Sequence, residues 1–231
     1  MALRLFEAGC RFVHIPEILY TWRALPTSTA LTFSSKPYVL DAQLTCLRQH
    51  LRRQGLAERF EVIANPSFPE PDGHWWIRRL AVLPEPSVDV VVLDARAATK
   101  VRDNTDYGNF HVRTASELKL TATDLIAIVP ADDVLLSPGW LREAVGLFEL
   151  VPDAGIVCGH AGAEKPENDP GYSYVRWCRR DAATVAGPWV GRADAITAVG
   201  GLDSAAGDLD PRLRSAGWRI VTTPFLTVQA P

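Results

Sequence analysis

Two aspartates, Asp132 and Asp133, stand side by side three residues after the run Leu125-Ile126-Ala127-Ile128-Val129. A short apolar run of this kind reads as a strand buried on both faces of a parallel sheet. Carboxylates just beyond its end lie where open α/β sheets hold their ligands. Oxygen ligands suit a hard cation, Mg²⁺ or Mn²⁺, which also bridges phosphate oxygens. Such an ion neutralises a departing diphosphate, the main electrostatic task in sugar transfer from a nucleotide donor. The same two residues suit a solvated turn that caps the following helix, and taken alone they favour that reading.

Other chemistries find less support. The chain carries no GxSxG, GxGxxG or GxxxxGK segment, so a hydrolase elbow, a dinucleotide loop and a P-loop have no direct signal. Cys10, Cys46, Cys158 and Cys178 include no CxxC pair and read as buried, reduced thiols. The five histidines show no helical ligand spacing, and His50 reads as a solvated or partly buried residue.

The elements that must position the aspartates can be read along the chain. Val88 to Leu93, VDVVVL, is a second buried strand, and Asp94 ends it. Between Ala95 and Thr123 the signals are mixed and polar and assign no element. Ser137-Pro138-Gly139 predicts an N-cap with proline at the first helical position, opening a helix with Trp140, Leu141, Ala144, Val145 and Phe148 on one side. Gly155-Ile156-Val157-Cys158 follows as a third strand. Alternating strand, helix and strand predict an α/β domain with a mostly parallel sheet flanked by helices.

Upstream, Tyr20 to Lys36 reads as a surface loop. Leu40, Leu44, Leu47 and Leu51 recur at helical spacing, with Arg48, Arg52 and Arg53 suiting the carboxyl end of the dipole and Gly55 just beyond. The proline-dense stretch NPSFPEPDGHWWIRRLAVLPEP, residues 65–86, predicts a linker with one extended piece at Trp75 to Val82. Trp75 and Trp76 are expected to cover the core of the following domain, with stacking on a sugar as the alternative.

The chain also repeats itself. Setting Arg4 on Arg212 matches Leu5 with Leu213, Ala8 with Ala216, Gly9 with Gly217, Arg11 with Arg219, Val13 with Val221 and Pro16 with Pro224. Each copy predicts a helix end, a glycine in the left-handed region, a short strand and a terminating proline. The offset is the size of a domain, whereas solenoid repeats run roughly 20–50 residues.

Composition narrows the partners. With 47% hydrophobic and 22% charged residues over 231 positions, the chain can bury a core. A net charge of −3 argues against nucleic acid as the main partner. No apolar run approaches the roughly 18 residues that span a bilayer, so a soluble, cytoplasmic protein is expected.

Taken in order, PADDVLLSPGWL, VPDAGIVCG, AGPWVGRADAITAVGGLD and GDLDPRLRSAGWRIVTTP resemble the second half of the family 2 glycosyltransferases of the GT-A fold. That family shows an aspartate-rich D-x-D-D segment, S-P-x-W-L, P-D-x-G-x-V-G, an arginine followed by G-G-[FL]-D, and E-D-x-D-L-x-x-R-x-x-x-A-G. Arg192 and Gly200-Gly201-Leu202-Asp203 match the fourth of these. The opening stretch, with HIPEILYTWR, looks like the end of another such domain, as in tandem enzymes that build polysaccharides.

The resemblance implies a GT-A-like domain over residues 87–231, a linker over 65–86, and over 1–64 a remnant of a preceding glycosyltransferase domain plus the amphipathic helix. It implies an inverting, metal-assisted transfer from a nucleotide-sugar donor to a glycan acceptor in cell-surface polysaccharide synthesis. Asp132 and Asp133 would hold Mg²⁺ or Mn²⁺, Asp208 would be the general base, Asp210 would support a helix start, and Asp94 would contact the nucleotide base. The sequence departs from the pattern at Pro130, Gly207 and Gln229, where the family carries an aspartate, a glutamate and often a histidine. Leu93 to Val129 is also short for the two strands and helix expected there, which makes the nucleotide-binding half incomplete. A catalytically inactive GT-A-like scaffold beside a partner glycosyltransferase chain, or a split-gene fragment, is the alternative expectation.

Overall fold

In a computed structural model the chain forms two compact units, Met1–Leu80 and Ala81–Pro231. The structure describes residues 2–13, 15, 17, 19–21, 38–65, 73–115, 123–130, 136–159, 180–182, 185, 187–202 and 209–226.

The first unit holds helices α1 (Ala2–Glu7) and α2 (Tyr38–Arg53) and a hairpin of β1 (Phe60–Ala64) and β2 (Trp75–Arg79). The hairpin is antiparallel, with Phe60 opposite Arg79 and Ala64 opposite Trp75. Among the described residues, Leu51 of α2 and Phe60 and Val62 of β1 are the unit's buried apolar residues, and Asn65 and Arg79 are also buried; of the leucines at helical spacing, Leu51 is buried and Leu40, Leu44 and Leu47 are half-buried. The Trp75 indole N–H donates to Gln43 Oε1 of α2 at 3.0 Å, and Arg78 lies over the Trp76 ring. Both tryptophans therefore belong to the first unit's own packing, and not to the core of the following domain. The strand β1 was not evident from sequence, and β2 is a hairpin strand inside the stretch read as linker.

Charge fastens α1 to α2. Glu7 accepts from Arg53 Nε at 2.7 Å and Arg53 Nη2 at 2.8 Å, and it lies 2.6 Å from His50 Nδ1. These partners lower the Glu7 pKa from 4.5 to about 2, the Arg53 hydrogen bond contributing most.

The second unit carries β3 (Val88–Val92), α3 (Ala97–Asp103), β4 (Phe110–Thr114), β5 (Leu125–Val129), α4 (Trp140–Leu150) and β6 (Ala154–Gly159). It continues with β7 (Arg180–Asp181), β8 (Trp189–Arg192), α5 (Ala193–Ala198), α6 (Leu209–Ser215) and β9 (Arg219–Thr223). The strands form one seven-stranded sheet in the order β4-β3-β5-β8-β6-β9-β7. Strands β4, β3, β5, β6 and β9 run one way, and β8 and β7 run against them. The unit is thus α/β with a mostly parallel sheet flanked by helices. The polar stretch 95–123, which assigned no element from sequence, contributes α3 and β4 among the described residues.

Strand alternation explains why both faces of this sheet are covered. Val157, Val190 and Val221 join the core under Trp140, Leu141, Ala144 and Phe148 of α4. Their neighbours Ile156, Cys158 and Ile220 point the other way and pack with Ala195 of α5 and Leu209 and Leu213 of α6. Asp89, inside the otherwise apolar β3, is buried beside Arg113 of β4 at 3.1 Å. Burying a carboxylate without such a counter-charge would be costly. Of the three cysteines described, Cys158 is buried, whereas Cys10 and Cys46 are exposed, contrary to the expectation that all are buried.

Both copies of the repeat close their helices in the same way. Cys10 N–H donates to Leu5 O and Trp218 N–H to Leu213 O, each at 3.0 Å, around Gly9 at φ 71° and Gly217 at φ 85°. This is a Schellman-type end, and the left-handed residue it needs is glycine. Beyond it the copies part: Arg219–Thr223 enters the sheet, whereas residues 11–13 form no strand. Among the described residues no helix is long and apolar enough to cross a membrane.

Two outcomes follow from these environments. Leu213→Ala should cost about 2–5 kcal/mol in urea unfolding because it opens a cavity in a packed face, while the equivalent Leu5→Ala should stay within about 0.5 kcal/mol. The Glu7 contribution is complete above pH 4.5 and fades as pH falls toward about 2, since a depressed carboxylate stabilises only while ionised. Amide protection in α1, measured by hydrogen exchange, should drop across that window and be lost at neutral pH in Glu7→Gln.

Candidate functional site

Strand β3 lies between β4 and β5, so the chain leaves β3 to one side and returns on the other. Connections that diverge in this way open a crevice outside the carboxyl ends of the two strands. Val92 pairs with Val129 at that edge, and Leu93 N–H extends the ladder to Val129 O at 3.1 Å. At the opposite edge Asp124 fixes the register, accepting from the Ser87 amide and hydroxyl at 2.7 Å each.

Asp94 sits at the crevice, directly after the ladder ends. It folds the turn into α3: the Arg96 amide donates to Asp94 Oδ1 at 2.9 Å and the Ala97 amide to Asp94 O at 2.9 Å. Arg96 Nε reaches both carboxylate oxygens at 3.1 Å and Nη2 reaches Oδ2 at 2.5 Å. The Arg96 side chain first, and its amide second, hold the Asp94 pKa at about 2 against an ordinary 3.8. Asp94 is therefore an ionised carboxylate, oriented by its neighbour, at the rim of the crevice.

Asp132 and Asp133 lie outside the described residues, as does Asp208. The chain on each side of the aspartate pair is described. It leaves β5 at Pro130 and resumes at Leu136, whose carbonyl accepts from Asn104 Nδ2 at 2.6 Å. Ser137 N–H donates to Leu226 O at 3.0 Å, and its hydroxyl donates to Phe225 O. The serine side chain thus fastens the turn after β9 and does not cap α4. Gly139 is the N-cap instead, with no side-chain bond, and the helix begins at Trp140. A second tie to the same turn is buried: Thr223 Oγ1 donates to Glu143 Oε1 at 2.7 Å and accepts from Phe225 N–H at 3.3 Å.

Asp208 immediately precedes α6. Asp210, in the first turn, accepts from the Val185 amide at 2.9 Å, a tie to a residue outside α6 and not the support of the helix start expected of it. Arg192, matched to the arginine of the resemblance, ends β8 and donates to Ala154 O at 2.9 Å and Phe148 O at 2.8 Å, its guanidinium over the Phe148 ring. It pins the α4–β6 turn at the edge away from the crevice. A shallow depression between α5 and α6 lined by Val199, Pro211 and Arg212 is also remote from the crevice, and Arg212 there binds Val199 O and Gly201 O.

Among the described residues no three His, Cys, Asp or Glu side chains gather at metal-binding distance. The residues expected to hold Mg²⁺ or Mn²⁺ are the undescribed pair. Sequence reading missed the Glu143–Thr223 pair. The signal was present, because Glu143 falls between Trp140 and Leu147 on the buried stripe of α4, where a charge requires a partner.

No family model matches the chain. The chain is similar to the uncharacterized protein y4gI of Sinorhizobium fredii (strain NBRC 101917 / NGR234), 24% identical over 283 aligned positions that cover 92% of this chain and 31% of that protein. The chain therefore spans 31% of the length of this relative.

Because Arg96 is the first cause of the low Asp94 pKa, Arg96→Ala should raise it from about 2 toward 3.8. A carboxyl NMR titration of Asp94 reads the change.

Proposed function

We propose that the second unit is a GT-A-type domain related to the family 2 glycosyltransferases, transferring a sugar from a nucleotide-sugar donor to a glycan acceptor. The observation that carries the reading is the β4-β3-β5 order, which opens a ligand crevice where the chain presents Asp94 after β3 and runs toward Asp132-Asp133 after β5. Supporting it is the agreement between the ordered segments of the resemblance and a mostly parallel sheet flanked by helices.

In this reading Asp132 and Asp133 hold Mg²⁺ or Mn²⁺, their carboxylates being the donor set hard cations prefer. When bound, the ion supplies charge neutralisation to the diphosphate leaving group. Asp208 takes the proton of the acceptor hydroxyl as that oxygen attacks the sugar carbon from the face opposite the leaving group, which inverts the configuration. Asp94, held ionised by Arg96, presents its rim position to the nucleotide.

Two observations favour a second reading, a scaffold that keeps the skeleton without turnover. Asp94 is already neutralised by Arg96, and among the described residues β3 and β5 are joined through one helix and one strand only.

Calorimetry separates the two. The transferase reading expects a nucleoside diphosphate, UDP, GDP or TDP, to bind with Mn²⁺ strengthening the complex. Asp132→Ala should weaken binding at least about tenfold, the ~1.4 kcal/mol of a lost charged contact. Binding of none of the three, with or without Mn²⁺, overturns the transferase and leaves the scaffold.

A further inference from the structure

The two copies of the repeat offer an internal comparison in which sequence and helix closure are shared and surroundings differ. In the second copy Leu213 is 0%, Ile220 1% and Val221 4% exposed. The equivalent Leu5 is 43%, Phe12 58% and Val13 75% exposed, and Ile15 and Phe6 are exposed beside them. Single exposed apolar residues are ordinary, but a contiguous set at the positions that a folded twin buries is not.

The second copy also shows what cover such an element takes. Strand β9 is laddered in parallel to β6, Ile220 opposite Ile156, Val221 opposite Val157 and Thr223 opposite Gly159. Helix α6 lays Leu209 and Leu213 on Ile156, Cys158 and Ala195. The cover is thus an α/β sheet whose open strand runs parallel and bears small or β-branched side chains. In a second copy β6 is already flanked by β8 and β9, and the open edges are β7, two residues long, and β4, which bears Phe110, His111 and Arg113 in place of small or β-branched side chains.

We propose that residues 2–15 are a docking element that closes the sheet of another α/β domain, adding a strand at Arg11–Ile15 parallel to an unpaired β6-like strand and laying α1 over it. Strand addition supplies main-chain hydrogen bonds, and the alternating side chains Phe12 and Val13 supply one anchor to each face. Glu7, tied to His50 and Arg53, holds α1 on the first unit, so the element is presented from a fixed base. The proposal does not depend on the transferase reading.

Its test is a graft within the full chain: residues 209–222 are replaced by the sequence of residues 1–14, so that Thr223 keeps its bond to Glu143, and the first copy stays in place. If the first copy closes a sheet of this kind, the graft unfolds cooperatively in urea, and its transplanted Arg11–Val13 amides exchange at least ~100-fold more slowly than the same residues in their own place. The same graft with Phe12→Asp and Val13→Asp in the transplanted copy should lose both properties. A graft that does not fold cooperatively, or one indifferent to the two aspartates, overturns the proposal. So do protected Arg11–Ile15 amides in the unmodified monomer, or a dimer in sedimentation that Phe12→Asp abolishes, which would assign the face to a second copy. Absence of nucleotide binding leaves these readouts untouched, so the two proposals fail separately.

Discussion

The parallel pairing of β3 with β5 is the interaction on which the second unit rests, because both strands are almost wholly buried and their ends define the crevice. Val88 opposite Leu125 through Val92 opposite Val129 leaves no place for water, so every main-chain group between must be laddered. Ser87 and Asp124 set the register at the start, and a slip of one residue would turn each valine to the wrong face. Asp94, which follows β3, is thereby delivered to one edge of the sheet.

Three polar side chains inside this body join elements distant in sequence. Asp89 meets Arg113 between neighbouring strands, Glu143 meets Thr223 between α4 and the end of β9, and Arg192 binds main-chain carbonyls at both ends of the α4–β6 turn. Removing one partner takes a bond from a buried polar group, and a buried group left short of bonds costs more than the bond contributes. Such pairs are therefore constraints on geometry more than sources of net stability. Through Thr223 and Ser137 the turn after β9 is held to the start of α4, and with it the chain that emerges from the aspartate pair.

The repeat separates local from tertiary control within one molecule. Glycine in the left-handed region ends both helices with the same hydrogen bonds, since that closure needs nothing beyond the chain itself. The strand that should follow exists only where β6 and β7 stand on either side of it. An isolated extended segment gains no ladder and keeps its conformational entropy, so residues 11–13 remain outside any strand.

What the sequence determined by itself were the features encoded by short-range pattern: the buried runs at 88–92 and 125–129, the leucine spacing of α2, the apolar stripe of α4 and the glycine ends. These follow from backbone geometry and side-chain periodicity, which act within a few residues. The tertiary structure alone decided β4 and α3 in a polar stretch, the hairpin at Trp75, and the diversion of Ser137 from capping to the β9 turn. It also decided that Arg192 would serve as a clamp, whereas the hold of Arg96 on Asp94 is a contact between residues two apart. A polar side chain has several partners of similar strength available to it, and which one it takes depends on what the fold brings within about 3 Å.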